Sequence, residues 1–346
     1  MSTGLKIPTD YKPLLDLRET EKAIQLIKEF FQTNLAFELN LTRVTAPLFV
    51  PSGTGINDDL NGIEKPVSFP VKAMDGMRVE IVQSLAKWKR LMLADYGFKQ
   101  GEGLYADMNA VRPDEVLDHT HSLYVDQWDW ERVISEEERT IPFLQNIVRR
   151  IYDVIRRTEC YLGHCFPVIK PTLPDQITFL HTEELEAKYP NLAPSERETE
   201  ACREYGAVFV IGIGGALKDG RPHDGRAPDY DDWSTPCGDG FHGMNGDIVV
   251  YSQLFDTAYE LSSMGIRVDR TALVRQLEIR DCTERRDLMF HKRLLGGELP
   301  LCIGGGIGQS RLCMFYLRKA HIGEIQSGIW PKDMVETCRK NNINLL

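Results

Sequence analysis

Nothing in this 346-residue chain approaches the roughly 20 consecutive apolar residues that a membrane span needs. The opening Met1-Ser2-Thr3-Gly4-Leu5-Lys6 lacks the apolar core of a secretory signal, so the expected compartment is the cytoplasm. Lys and Arg are never clustered five together, and the net charge is −10 with a pI near 5.4. Such a field repels nucleic acid. The eight cysteines contain no C-x-x-C pair, which fits reduced thiols; Cys160, His164 and Cys165 follow a helical pattern and read as packing rather than metal ligands. The lysine of a Walker loop is missing. So is a complete dinucleotide fingerprint, because Gly212-Ile213-Gly214-Gly215 is followed by Leu217 where the third glycine should stand. No internal repeat and no Pro/Gly/Ser linker divides the chain. It reads as a single α+β domain over residues 1–346, with 1–12 as a short N-terminal extension.

What is present is a sequence of strong local patterns. Ala23, Ile27, Phe30 and Phe31 carry the apolar stripe of a helix over 17–36, for which Asp16 is the expected N-cap. Residues 41–50 read as an extended segment at a sheet edge or subunit boundary, since Pro47 cannot donate to a ladder. The polar run 51–63 reads as a loop, and a strand near 79–82 leads into a helix opening around Ser84. Glu102–Arg112 and Ser122–Glu131 read as a long antiparallel hairpin. A second long helix is expected over 141–162, then strands at 177–181, 207–211, 247–251 and 258–268, with helices at 195–205, 270–281 and 284–296.

The run Gly304-Gly305-Gly306-Ile307-Gly308-Gln309-Ser310-Arg311 combines a bare backbone with one placed arginine. Glycines let a flat group lie against the main chain and reach positive φ cheaply. A helix starting near Gly308 would aim its amide end, with Arg311, at an anion. Arg112 ends the first hairpin strand, where a guanidinium can hold a phosphate through two parallel bonds. On the second strand Gln127, Asp129 and Glu131 alternate with tryptophans and so share one face, which suits a ligand bearing an ammonium group. Asp247 and Glu260 lie on successive extended segments, and paired acids beside a phosphate site suit Mg²⁺, while the spacing alone is also that of solvated surface acids.

Together these residues resemble the catalytic core of the class II aminoacyl-tRNA synthetases. Arg112 with its following acids resembles the second motif of that class, the glycine–arginine run the third, and the Pro47 segment after its helix the first. Ser84–Arg90, Gly101–Tyr105, Val125–Glu131, Arg226–Thr235 and Glu260–Val268 are similar to signature segments of ammonia-dependent asparagine synthetase (aspartate–ammonia ligase), a stand-alone relative of that core. The resemblance covers about residues 17–331. It implies an antiparallel sheet flanked by helices, and a homodimer formed through the first helix and the Pro47 segment. It also implies formation of L-asparagine from L-aspartate, ammonia and ATP through a β-aspartyl adenylate, with release of AMP and pyrophosphate.

By the same resemblance Arg112 and Arg311 would flank the triphosphate, with Glu115, Gly306 and Gly308 on the nucleotide side. Asp247 and Glu260 would hold Mg²⁺. Lys89 would clamp the α-carboxylate of aspartate, with Arg226 as a second candidate. Gln127 and Asp129 would receive the α-ammonium together with an acid of the 51–63 loop, Asp58 in preference to Asp59. Ser84, Asp231 and Ser263 would line the aspartate side. Asp58 and Asp231 both remain candidates for deprotonating ammonium, and His119 and His121 either touch adenine or are exposed loop residues. His321-Ile322-Gly323-Glu324 echoes half of the class I synthetase signature but follows the wrong element and is read as chance. An aminoacyl-tRNA synthetase would be expected to carry an anticodon-binding domain and a basic face. A glutamine-dependent synthetase needs an N-terminal cysteine, whereas Ser2 follows Met1 and the first cysteine is Cys160. A catalytically dead paralogue would be expected to have lost one of Arg112, Asp247, Glu260 or Arg311.

Overall fold

The computed structural model describes residues 4–57, 60, 64–238 and 240–346. Asp58 and Asp59 lie outside the described residues. The strands are β1 (Leu41–Arg43), β2 (Phe49–Pro51), β3 (Ser68–Val71), β4 (Met77–Ile81), β5 (Gly103–Val111), β6 (Tyr124–Val133), β7 (Thr178–His181), β8 (Ala207–Ile211), β9 (Pro236–Gly238), β10 (Phe241–His242), β11 (Asn245–Ser252), β12 (Thr257–Ile266) and β13 (Cys302–Gly308). The helices are α1 (Leu17–Leu39), α2 (Ala86–Asp95), α3 (Ile141–Cys165), α4 (Thr182–Lys188), α5 (Pro194–Tyr205), α6 (Arg270–Ile279), α7 (Met289–Gly296), α8 (Gln309–Tyr316) and α9 (Lys332–Lys340).

An eight-stranded sheet in the order β1-β5-β6-β13-β12-β11-β8-β7 organises the molecule. Its central strands run antiparallel, as expected, but both edge pairs, β1 with β5 and β7 with β8, are parallel. Period-two alternation decides which side chains meet which layer. Trp128 and Trp130 of β6, Phe209 of β8 and Ile248 and Val250 of β11 point into a core shared with α1 and α3, where Phe31 packs its ring 4.6 Å from that of Trp128. The intervening Gln127, Asp129 and Asp247 are thereby turned to the opposite face. A bulge supports this arrangement: Ile248 pairs with Ser262 and Val249 with Glu260, leaving Leu261 as the extra residue, so that Glu260 and Ser263 both line one cavity although three apart.

The helices begin where the sequence signals them. Asp16 caps α1 in a capping box with Glu19, and Thr140 caps α3, which carries a proline in its first turn. Several expectations need correction. Residues 41–50 form two short strands rather than one, with Pro47 in neither, because a residue without an N–H cannot extend the ladder. The segment expected as a helix over 284–296 is a 3-10 turn (Thr283–Asp287) followed by α7. The helix α4 was not foreseen. In the N-terminal extension Tyr11 is buried against Ala320, Met334 and Cys338, and its hydroxyl donates to both Glu324 oxygens at 3.2 and 3.0 Å. His321 and Glu324 form the capping box of a 3-10 turn (Ile322–Glu324), which accounts for the class I echo.

Candidate active site

On the sheet face opposite α1 and α3 lies a cavity of about 360 Å³ whose lining is mostly polar. Its floor is β13, held between β6 and β12. Gly308 faces Gln127 and Gly306 faces Asp129 on one side, while Gly306 faces Ser263 on the other. None of the β13 glycines has a positive φ, so conformational freedom is not why glycine is required. The reason is lateral. A Cβ on Gly304 would lie 2.0 Å from Glu131 Oε2, and one on Gly306 would lie 2.3 Å from Gln127 Oε1. Polar side chains of β6 fold over the bare strand and occupy the space that Cβ atoms would fill.

Beneath and beside this floor runs a web of alternating charges. The ammonium of Lys89, on α2, is fully buried and pairs with Asp129, donating also to the carbonyls of Trp130 at 2.9 Å and Gly305 at 3.1 Å. Lys89 does not line the cavity. In that position it ties β6 to β13 from under the floor, and Arg226, the second candidate for the α-carboxylate, lines the cavity. Glu131 lies 3.6 Å from Lys89 Nζ and accepts two 2.8 Å bonds from Arg267. Burial pushes the Glu131 carboxyl up, but the charges of Arg267 and Lys89 outweigh it and hold it below the usual range. Arg267 continues to Asp231, and Asp231 lies 3.6 Å from Arg226 Nε. Arg226 then donates at 2.6 Å to Asp247 Oδ1. Arg267 is the residue that reading the sequence undervalued: its position in Gly265-x-Arg267 was visible, its fork across two strands was not.

The cavity lies at the meeting of these groups. Gln127, Asp129, Arg226, Asp231, Ser84 and Ser263 line one end. Asp129 Oδ2 and Asp231 Oδ2 are buried and have no hydrogen-bond partner among the described residues. The other end has Arg112, Glu115, Gly306, Gly308, Glu260 and Arg311 on its walls. Arg112 approaches Glu115 at 3.8 Å and donates to the Gln83 carbonyl at 3.4 Å. Arg311 donates at 3.0 Å to Glu260 Oε2, and its second nitrogen meets His121 Nε2 at 2.9 Å. The α8 amide end is partly engaged already, because Ser310 N donates at 2.9 Å to Asp126 Oδ1, so Arg311 rather than the bare helix terminus faces the cavity. His121 is a cavity residue, while His119 is buried against Phe255. Asp247 borders the site without lining it, and burial, together with the nearby charges of Glu260 and Glu198, pushes its carboxyl up to about 7 against the pull of Arg226.

The loop carrying Arg226 and Asp231 is fixed from below by a second buried cluster. Asp229 Oδ2 receives Lys87 at 3.2 Å, His291 at 3.0 Å and Arg285 at 3.3 Å. Gln276 of α6 donates to the carbonyls of Pro228 and Asp231 at 2.8 and 2.9 Å.

A large, mainly antiparallel sheet with one polar, arginine-walled face is the architecture of the class II aminoacyl-tRNA synthetase core. The chain superimposes on asparaginyl-tRNA synthetase from Pyrococcus horikoshii complexed with asparaginyl-adenylate with a TM-score of 0.66 at 14% identity, covering 90% of this chain and 70% of that one. The Entamoeba histolytica asparaginyl-tRNA synthetase in complex with asparaginyl-adenylate gives 0.64 at 12% identity, with 90% and 66% covered. At those identities the likeness is one of fold. The sequence is more specific: the aspartate-ammonia ligase family pattern matches residues 18–342, and the chain belongs to that family. It is 60% identical over 339 residues to the aspartate–ammonia ligase of Parabacteroides distasonis, covering 98% of both chains. Against that of Clostridium perfringens (strain SM101 / Type A) it is 58% identical over 342 residues, covering 99% of both.

Proposed function

We propose that this chain is an ATP-dependent ligase that makes L-asparagine from L-aspartate and ammonia through a β-aspartyl adenylate, releasing AMP and pyrophosphate. The observation that carries the reading is the two-ended cavity. One end offers two arginines above a glycine floor, and the other offers two carboxylate oxygens that have no hydrogen-bond partner among the described residues. Such a site suits a molecule that is anionic where it reacts and cationic where it is recognised.

The chemistry explains the need for both ends. The β-carboxylate of aspartate resists ammonia because its carbonyl carbon is electron-rich and oxide cannot leave. One carboxylate oxygen attacks the α-phosphorus, the bond to pyrophosphate breaks, and the acyl group gains AMP as a leaving group. Ammonia then attacks the acyl carbon, AMP departs, and nitrogen gives up a proton. Arg112 and Arg311 stabilise the charge that grows on the phosphates, a contribution that fixed donors in a partly dry site make effectively. Asp129 and Asp231, held in place by Lys89 and Arg267, receive the α-ammonium beside Gln127. With Lys89 fully engaged under the floor, Arg226 is left to meet the α-carboxylate, and Ser84 and Ser263 complete that wall. Proximity of two bound reactants supplies much of the acceleration.

Asp247 and Glu260 supply hard carboxylate oxygens on adjacent strands, the donor type that suits a magnesium ion. Mg²⁺ held there would neutralise phosphate charge. The acidic chain supports a reaction without nucleic acid, its lack of any long apolar helix among the described residues fits a cytoplasmic enzyme, and Phe37 on α1, 84% exposed, supports pairing of two copies through that helix. The test is formation of AMP and asparagine from ATP, Mg²⁺, L-aspartate and ammonium, with and without tRNA. Asparagine made equally in both arms is expected, and its absence in the tRNA-free arm would refute the reading.

A further inference from the structure

We propose that Asp118 and His121 act as a dyad that positions Arg311. The reading of Arg311 as a phosphate-facing residue underlies this inference. A guanidinium has donors only, so at 2.9 Å the Nε2 atom of His121 must be the acceptor from Arg311. The ring proton then sits on Nδ1, where Asp118 Oδ2 lies 2.9 Å away and Thr120 Oγ1 3.1 Å away. The chain Asp118–His121–Arg311 is thus a directed relay in which a carboxylate fixes the tautomer and the tautomer fixes an arginine, as outer-shell carboxylates orient histidine ligands elsewhere.

The carboxylate is itself immobilised. Asp118 Oδ1 accepts from Thr120 N at 2.6 Å, from His121 N at 2.8 Å and from Thr120 Oγ1 at 3.0 Å. Burial would push the Asp118 carboxyl up, but these bonds and the imidazole hold it well below the usual carboxylate range. The loop is pinned at its base, where the carbonyl of His119 accepts from Ile322 N at 2.8 Å. The N-terminal segment closes over it: His119 Nδ1 meets the Gly4 carbonyl at 3.3 Å, and a Cβ on Gly4 would lie 2.8 Å from Asp118 Cβ. Arg311 is therefore held on two sides, by Glu260 and by His121. Glu260 is also proposed for the metal, so His121 is the partner free to hold Arg311 steady when a cation draws on Glu260. An arginine loses rotamer freedom on being fixed, and the dyad meets that cost before the nucleotide arrives.

The two faces of the imidazole can be tested separately in the full-length enzyme. His121→Gln places an amide oxygen near Nε2 and keeps the acceptor for Arg311; His121→Asn keeps a donor toward Asp118 and loses that acceptor. Aspartate-dependent ATP–pyrophosphate exchange is measured for both, for His121→Gly with and without added 4-methylimidazole, and for Asp118→Ala. The expected result is that kcat/KM for ATP falls about 10–100-fold in the Asn, Gly and Asp118→Ala variants, the size seen when orienting partners are removed. KM for aspartate stays within about twofold, Gln retains several-fold more activity than Asn, and 4-methylimidazole restores part of the His121→Gly loss. An Asn variant as good as or better than Gln, equal damage to both substrates, or no rescue would overturn the dyad, since a loop brace alone needs only the Asp118 side. A wild-type enzyme without exchange activity would take down the ligase reading as well, whereas an active wild type with indifferent variants defeats the dyad alone.

Discussion

Replacing Lys89 by Met separates a substrate clamp from a structural cation. The substitution nearly preserves volume and removes the charge that Asp129, Glu131 and the carbonyls of Trp130 and Gly305 surround, all at a side chain with no exposure to solvent. Breaking a buried ion pair by removing one partner costs about 3–5 kcal/mol, and leaving two carbonyls without a donor adds roughly 1 kcal/mol more. For 346 residues, an unfolding entropy of roughly 2.1 cal/mol/K per residue gives ~0.7 kcal/mol per degree. The melting temperature should therefore fall by about 5–8 °C. Activity should fall as well, through Asp129, and both substrates should be affected because β13 is tied to β6 through this ammonium. Differential scanning calorimetry with steady-state kinetics on the same preparation makes the comparison. An unchanged melting temperature with a defect confined to KM for aspartate would show that Lys89 reaches substrate directly and that the buried geometry is not the working one.

Two glycines of one strand should behave differently. Gly306→Ala pushes against the tip of Gln127, which can swing, so stability should change by no more than about 1 kcal/mol while aspartate-dependent exchange drops at least tenfold. Gly304→Ala pushes on Glu131 where Arg267 locks it, with Arg267 NH2 only 2.7 Å from the new Cβ, and should cost about 3 kcal/mol or more in urea unfolding. Asp229→Ala removes the anion shared by Lys87, His291 and Arg285; a loss of about 3–5 kcal/mol and a raised KM for aspartate are expected, the latter because the Arg226–Asp231 loop loses its anchor. His321 is buried, which pushes its imidazole down to about 4 from an unfolded value near 6.5. The unfolded chain thus binds the extra proton between those limits, and stability is lost as pH falls from about 7 toward 4. His321→Asn, which keeps a cap for Gly323 N, should remove about 2 kcal/mol of the difference in stability between pH 7 and pH 5. A parallel acid limb in mutant and wild type would show that other groups carry it.

How far the site was legible depends on what kind of signal each residue gives. Gln127 and Asp129 were placed on one face by alternation with two tryptophans, and alternation is a local property that survives folding. Arg112 and Arg311 stood out because each ends or follows a strand beside glycine or proline. The burial of Lys89 was not legible for an equally physical reason: nothing in Ala86-Lys87-Trp88-Lys89 says which lysine runs beneath a sheet, since that depends on where α2 crosses β6 and β13. Arg267 and Asp229 show the same limit. Their partners lie 136 and 142 residues away, at Glu131 and Lys87, and no window along the chain contains both members of either pair. The parallel direction of the edge pairs was missed because three or four residues carry too little periodicity to declare a direction.

The charge layout explains why this cavity suits an amino acid rather than a simple carboxylic acid. Asp129 and Asp231 each keep one oxygen on a buried cation, Lys89 and Arg267, and leave the other without a hydrogen-bond partner among the described residues, that of Asp231 lying 3.6 Å from Arg226 Nε. A buried polar atom without a partner costs about 1–3 kcal/mol, more when charged, and folding alone gives no return for it. A ligand bearing an ammonium group recovers that cost on binding, whereas an analogue lacking the amine leaves both oxygens unpaired and excludes water from them. Discrimination against such analogues should then be steep, by the logic that sites built around a hydrogen-bonding group reject ligands without it by about 10⁴ or more. Lys89 and Arg267 make this selectivity possible: each anchors one oxygen of its carboxylate, which leaves the other at the cavity for the substrate's ammonium.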